Sequence, residues 1–394
     1  MSNNRKILII AGENSGDLHA SNLVKQLKRL DPSLEFIGLG GSQMKSAGVQ
    51  LVSNIVDRLA IIGFAEVLRH VNKIRRLFRQ VRTILEHDRP CAVILIDYPG
   101  FNLRVARMAH SMRIAVIYYI SPHVWAWRRG RVNEIAKHVD KMLVIFPFEE
   151  GIYRQAGVDV TYVGHPLLDV MKLTMTKEQV FQRFQFDPKK KLIGLLPGSR
   201  KPEVERLLPV MLEAAEMIKA RIPDVQFVIP RASTVKKELI DYYIENAGVE
   251  VHVVDAYRYN VRSAMDFAIV ASGTATLETA FLICPMVILY KTSFLTWIIA
   301  KNLVNLPYIG LVNVVAGDMV VPELLQNEAT PLNVATRVVK FLSNPAETET
   351  IKYELQKVKE KMGGPGASKR AAEQVLALIN QRAEQHVPSP VTTS

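Results

Sequence analysis

The chain has 394 residues, 48% of them hydrophobic and 22% charged, which excludes a disordered polyelectrolyte and exceeds what one ordinary core accommodates. Lys and Arg (50) outnumber Asp and Glu (38), leaving a net charge of 50 − 38 = +12 that favours anionic partners such as nucleic acid, anionic lipid or phosphorylated ligands. The two cysteines, Cys91 and Cys284, lie in apolar runs without disulfide or metal spacing, as in a reduced cytoplasm.

Arg5 and Lys6 precede an apolar run, Ile7–Ala11, that is too short for a signal peptide and is followed by Glu13 and Asp17, and a strand is expected over Lys6–Ile10. Further strands are expected at Glu35–Leu39, Ala92–Ile96, Ala115–Tyr119, Lys141–Ile145 and Val160–Val163, with amphipathic helices between them. This alternation predicts a parallel sheet covered by helices on both faces. The rhythm restarts after Gly164-His165-Pro166 with Leu192–Leu196, Gln226–Ile229, Val251–Val254, Phe267–Val270 and Val287–Leu289. The fold class is therefore α/β with two doubly wound domains. The expected boundaries are 1–165, 166–345, a C-terminal helical segment 346–384, and a frayed tail 385–394. No uncharged apolar run of about 18 residues marks a spanning helix.

Ligands in open parallel sheets sit outside the carboxyl ends of the strands, and the polar motifs fall there. After strand one comes Ala11-Gly12-Glu13-Asn14-Ser15-Gly16-Asp17. Glu13 and Ser15 read there as ligand contacts, and Ser15 or Asp17 equally as a plain helix cap. Asp97 ends a buried strand and precedes Tyr98-Pro99-Gly100-Phe101-Asn102. It reads either as a turn former or as a general base whose pKa a dehydrated crevice raises. Next comes Ser121-Pro122-His123-Val124-Trp125-Ala126-Trp127-Arg128-Arg129. His123 is a rival base, a phosphate ligand or a structural histidine. Trp125 and Trp127 alternate at strand period and serve either as core or as a sugar or acyl surface.

Between these lies a basic amphipathic stretch. Val67, Val71, Ile74, Phe78, Val81 and Leu85 repeat at helical spacing, and Arg69, Lys73, Arg75, Arg76, Arg79 and Arg82 fall opposite. A solvated face explains the charges. The greasy run Leu59–Phe64 before it, with Ile61, Ile62 and Phe64, also fits a membrane-surface segment.

In the second half, Leu196-Pro197-Gly198-Ser199-Arg200 places a Gly-Ser turn and a guanidinium at a helix start, suited to a diphosphate. Ala271-Ser272-Gly273-Thr274-Ala275-Thr276-Leu277-Glu278 follows another strand. Ser272, Gly273 and Thr274 are expected to bind phosphate, and Glu278, one turn on, the hydroxyls of a ribose. Gly310-Leu311-Val312-Asn313 and Pro322-Glu323-Leu324-Leu325-Gln326 add weaker loop candidates, Asn313 and Gln326. No paired-carboxylate metal motif stands out on this side.

Taken together, AGENSGD (11–17), GLGG (38–41), IDYPGFN (96–102), SPHVWAWRRGR (121–131), VGHPLLD (163–169), LPGSR (196–200), SGTATLE (272–278) and PELLQ (322–326) resemble the lipid-A-disaccharide synthase family. The resemblance covers all but about the last ten residues. It implies a GT-B architecture of two facing Rossmann-like domains. It implies an inverting transfer of 2,3-diacylglucosamine from its UDP derivative to the 6-hydroxyl of 2,3-diacylglucosamine 1-phosphate (lipid X). It implies no cofactor or metal, and a peripheral place on the cytoplasmic face of the inner membrane. Under it Asp97 is the base, with Glu13 and His123 in the same cleft. Ser15, Asn102, Trp125 and Arg128 lie on the acceptor side. Ser199, Arg200, Ser272, Gly273, Thr274, Glu278, Asn313 and Gln326 bind UDP. Ile61, Ile62, Phe64, Arg69, Lys73 and Arg76 meet the anionic membrane surface. A homodimer is left open.

Two other readings compete. A UDP-sugar epimerase shares the architecture but needs no lipid surface. A nucleic-acid-binding protein is supported only by charge and by Arg128-Arg129-Gly130-Arg131, with no recognised motif, so no nucleic-acid partner is expected.

Overall fold

The computed structural model describes residues 5–56, 71–125, 130–292 and 307–385. The chain divides into two compact units, residues 1–169 with 364–394, and residues 170–363.

Unit one is built on a parallel sheet of seven strands: β1 (Lys6–Ala11), β2 (Glu35–Gly40), β3 (Gln50–Asn54), β4 (Ala92–Ile96), β5 (Ala115–Tyr119), β6 (Lys141–Val144) and β7 (Val160–Tyr162). Their order is β3-β2-β1-β4-β5-β6-β7. β4 and β5 are buried throughout, and β1 in all but its first residue. Continuous apolar runs such as ILIIA and AVILI form strands here because helices cover both faces of the sheet. Unit two carries six parallel strands: β8 (Lys191–Leu196), β9 (Val225–Pro230), β10 (Val251–Val254), β11 (Phe267–Ala271), β12 (Met286–Tyr290) and β13 (Glu323–Leu325). Their order is β10-β9-β8-β11-β12-β13. In both units the strand order reverses beside the first strand, between β1 and β4 and between β8 and β11. Those are the switch points at which a ligand crevice opens.

Two strands were not expected. β3 lies at a sheet edge and is only half-buried, so it lacks the apolar signature of its neighbours. β13 has three residues and lies in the stretch 322–326, read from sequence as loop. Too few residues alternate there for periodicity to show.

Residues 346–384 are divided between the units. Helix Pro345–Lys361 falls in unit two and helix Ala367–Gln385 in unit one. The latter packs on helix Asn14–Leu30. Asp169 anchors its start, accepting the backbone N–H groups of Gly366 (2.5 Å), Ala367 (3.2 Å) and Ser368 (2.8 Å). Arg370 Nε donates to the Val163 carbonyl at 2.8 Å. The aspartate of VGHPLLD is thus a helix cap acting across nearly two hundred residues of sequence. Of the tail, residues 386–394 lie outside the described residues.

Helix Val71–Thr83 continues into a π-turn, Ile84–Asp88. Leu77, Val81, Ile84 and Leu85 are buried, and Phe78 stacks on Phe101 with centroids 4.3 Å apart. Lys73, Arg75, Arg76, Arg79 and Arg82 are exposed, as the amphipathic spacing predicts. Ile61, Ile62, Phe64 and Arg69 lie outside the described residues. Among the described residues no helix is long and apolar enough to cross a membrane.

Candidate functional site

Ala11 of β1 pairs with Ile96 of β4, so Gly12 and Asp97 leave the sheet at the same level. The β1 loop runs so close to its neighbour that a Cβ on Gly12 would lie 2.4 Å from Tyr98 Cγ. Only glycine fits there.

Asp97 and Tyr98 both take left-handed backbone conformations, φ 44° and 48°. Such conformations cost energy in non-glycine residues and persist only when neighbours fix them. Here the Asp97 carbonyl accepts from Asn102 Nδ2 (2.7 Å) and from the Tyr118 hydroxyl (2.6 Å). Asn102 also donates to the Ile96 carbonyl at 3.1 Å. Asn102, expected on the acceptor side, is fully buried, and its Nδ2 braces the turn. The helix cap is Tyr98, not Asp97, so the turn leaves the Asp97 side chain out of the cap. Burial, reinforced by the charge of Glu13, raises the Asp97 carboxyl to about 6 against the pull of the Tyr98 N–H. That places it near the range in which a carboxylate removes a proton effectively.

Glu13 and Ser15 are exposed at the start of helix Asn14–Leu30, with Glu13 at its cap position. Asp17 does something else. It is 2% exposed and accepts the N–H groups of Gly41 (2.8 Å), Gln43 (3.0 Å) and Met44 (3.1 Å). It therefore caps the short helix Ser42–Ser46 in the second glycine loop, tying the carboxyl ends of β1 and β2 together.

The loop after β5 is held by a residue the sequence did not single out. Glu149, 1% exposed, accepts from Ser121 Oγ (2.5 Å), Trp125 Nε1 (3.0 Å) and the Phe146 N–H (3.2 Å). Burial raises its carboxyl to about 7 against those three donors. The Trp125 indole is thereby spent on Glu149, and its ring meets His123, Phe146 and Phe148 edge-on at 5.1, 6.2 and 5.2 Å. Trp125 is core in unit one rather than an open acceptor wall. His123 is half-buried above it, and burial lowers its pKa, so it stays neutral at physiological pH. Trp127 and Arg128 lie outside the described residues.

In unit two, Leu196 of β8 pairs with Val270 of β11, so the LPGSR and SGTATLE loops emerge side by side. They differ in how their helices begin. Glu203 Oε2 accepts the N–H groups of Ser199 (3.0 Å) and Arg200 (3.2 Å), and its other oxygen lies 3.6 Å from the Arg200 guanidinium. Gly198 has φ +112°, and a Cβ there would sit 2.4 Å from Glu203 Oε2. Those N–H groups, expected from sequence to hold a diphosphate, already hold a carboxylate. The Arg200 side chain remains two-thirds exposed. At the second loop, Gly273 caps helix Thr274–Phe281 with no side-chain cap among the described residues, none of which fills the space beside its Cα. Thr274 is exposed and Ser272 half-buried, its hydroxyl 3.4 Å from the Ile309 carbonyl. This is the helix start at which an anion finds uncommitted donors.

Glu278, one turn on, accepts from the Tyr259 hydroxyl at 3.1 Å and pairs with Arg262. Asn313 is fully buried. Its amide donates to the Val321 carbonyl and to Glu323 Oε1, each at 2.8 Å, and accepts the Val321 N–H at 3.0 Å. Glu323 also accepts the Ile309 and Gly310 N–H groups, both at 2.9 Å. The Asn313 side chain is therefore used up in holding the 307–316 segment. The Gln326 amide pairs with the backbone of Thr292, 3.2 Å on each side, at the carboxyl end of β12. Neither spacing nor residue type distinguishes such bracing from ligand contact. Among the described residues, no three His, Cys, Asp or Glu side chains come together as a metal site.

A sequence profile of the lipid-A-disaccharide synthetase family matches residues 7–378. The lipid-A-disaccharide synthase of Geobacter metallireducens is 43% identical over 379 residues, covering 96% of this chain and 98% of its own. That of Syntrophus aciditrophicus is 44% identical over 380 residues, covering 96% and 99%. Among solved structures, the UDP-GlcNAc 2-epimerase of Neisseria meningitidis bound to UDP-GlcNAc superposes with TM-score 0.66 at 13% identity, covering 94% of this chain and 100% of that one. The calicheamicin glycosyltransferase CalG4 gives 0.63 at 14%, covering 97% and 100%. At such identities these two speak for a GT-B-like fold alone, whereas the full-length relatives decide descent: the chain belongs to the lipid-A-disaccharide synthase family of glycosyltransferases.

Proposed function

We infer that this chain condenses UDP-2,3-diacylglucosamine with lipid X, releasing UDP. The acceptor 6-hydroxyl gives its proton to Asp97 as its oxygen attacks the anomeric carbon. The bond from that carbon to the UDP oxygen breaks on the opposite side, so configuration inverts. Unit two receives the leaving group: Arg200 and the start of helix Thr274–Phe281 meet the diphosphate charge, and Glu278 meets the ribose. The observation that carries this reading is the raised Asp97 carboxyl, fixed in a left-handed turn beside Glu13 at the switch point of the first sheet. The test is turnover of UDP-2,3-diacylglucosamine and lipid X, followed by mass spectrometry with and without chelator. Disaccharide formation undiminished by chelator is expected; absence of product, or dependence on added metal, refutes it.

The enzyme works at the cytoplasmic face of the inner membrane, where the basic face of helix Val71–Thr83 and the preceding 59–70 segment meet anionic lipid. The exposure of Lys73 and Arg76 supports this. Replacing Ile61, Ile62 and Phe64 with serine is expected to reduce co-sedimentation with anionic vesicles, and unchanged co-sedimentation returns the segment to the core. Native mass spectrometry settles whether the working form is a homodimer.

A further inference from the structure

We propose that Tyr259 and Arg262 are positioning residues that hold the Glu278 carboxylate in the orientation that receives the two ribose hydroxyls of a uridine diphosphate. The proposal rests on the reading of Glu278 as the ribose acceptor and names what makes it effective. Both residues lie on helix Arg258–Ala264, three positions apart and so on one face. The Tyr259 hydroxyl donates to Glu278 Oε1 at 3.1 Å, and Arg262 Nη1 donates to Oε2. Each carboxylate oxygen thus has one donor from the same helix. An ionised carboxylate offers about four acceptor positions, which leaves capacity on each oxygen for one hydroxyl of a vicinal diol.

The energetics argue against a purely stabilising role. Arg262 is 7% exposed, and a buried ion pair contributes little net stability because desolvation offsets the attraction. Its Nε is moreover buried and has no hydrogen-bond partner among the described residues, a further cost. Burial, with the charge of Glu278, raises the Tyr259 phenol well above its ordinary value, so it stays a proton donor at any working pH. What this costly arrangement supplies is orientation. A glutamate has three side-chain torsions, and fixing them before the ligand arrives removes an entropic cost from binding.

The test is calorimetric titration with UDP and with 2′,3′-dideoxyuridine diphosphate. The parent enzyme is expected to prefer UDP by roughly 10- to 100-fold, the worth of hydrogen bonds to a charged group. Tyr259→Phe should weaken UDP binding by roughly 3- to 10-fold, one such bond's worth of positioning, and leave the dideoxy analogue unchanged. Arg262→Gln should do the same more strongly. Both effects should vanish in a Glu278→Gln background, the mark of residues acting through a third. Equal weakening of both nucleotides by Tyr259→Phe, or no weakening of either, overturns the positioning role. Equal affinity of the parent for both nucleotides instead removes the ribose reading of Glu278, and the proposal with it. Should Arg262→Gln fail to fold, judged by its melting curve, the Tyr259→Phe cycle decides alone.

Discussion

The switch points of the two sheets have the same topology and opposite chemistry. At β1/β4 the loops present carboxylates: Asp97, raised to about 6 by burial and by Glu13, and Glu13 itself at a helix start. At β8/β11 they present Arg200, hydroxyls and a helix start without a side-chain cap. Under the proposed function, one architecture serves proton removal in one unit and anion binding in the other, the difference lying in the loop residues. Negative charge at a helix start is favourable in itself, and the protein uses this for structure at Asp169, which caps helix Ala367–Gln385, and in two of the glycine loops. Asp17 caps helix Ser42–Ser46, and Glu203 caps helix Lys201–Arg221. The helix after β11 starts without a side-chain cap, as does helix Asn14–Leu30 after β1, but there the carboxylate of Glu13 stands at the cap position, whereas Gly273 brings no charge.

The sharpest way to break this contrast is at Asp97. Asp97→Asn is expected to lower turnover by roughly 10²–10⁴-fold, the range for loss of a general base, with a nearly unchanged melting temperature. In the parent, kcat/KM should rise as pH rises through about 6 and level off above, because Asp97 accepts a proton only when ionised. Glu13→Gln removes the neighbouring negative charge and should move that limb to lower pH. A limb that stays in place separates Glu13 from the base.

On the other side of the comparison, Arg200→Ala should weaken UDP binding by roughly 10- to 100-fold in calorimetry, as charge-assisted bonds are lost. Asn313→Ala, by contrast, should lower the melting temperature and leave UDP affinity nearly unchanged, since the Asn313 amide is committed within the protein. A reversed pattern would exchange the two assignments.

Two buried carboxylates give smaller, structural effects. Asp17→Asn puts an amide NH₂ among three backbone donors and should cost about 1–3 kcal/mol in denaturant unfolding. Glu149→Gln should cost a similar amount, about 1–3 kcal/mol, by turning an amide nitrogen toward Ser121, Trp125 or the Phe146 N–H. It should also change the pH dependence of stability. Burial raises the folded Glu149 carboxyl from 4.5 to about 7, so across that window the folded state binds more protons than the unfolded one. The Glu149 contribution therefore falls as pH rises from 4.5 to 7, and the glutamine variant should lack this slope. An identical slope in both proteins would assign it to another group.

The apolar runs, the doubly wound class and the loops that carry chemistry were legible in the chain alone. A parallel sheet covered on both faces imposes continuous hydrophobic strands, and glycine-rich polar loops must follow their carboxyl ends. Asp97, Arg200 and Glu278 could be picked out because each follows such a strand in a recognisable motif. The partners could not. Asp17 reaches Gly41, Asp169 reaches Ser368, Glu149 reaches Ser121 and Arg262 reaches Glu278, contacts between segments that only folding brings together. For the same reason sequence could not separate ligand contact from bracing at Asn102 and Asn313, or core from acceptor wall at Trp125, whose side chains hydrogen-bond to neighbouring groups of the chain. A polar side chain at a strand end is the same residue whether it faces a ligand or a neighbouring backbone group. Periodicity and spacing record which residues leave the core; tertiary packing alone decides which of their donors and acceptors remain for a substrate.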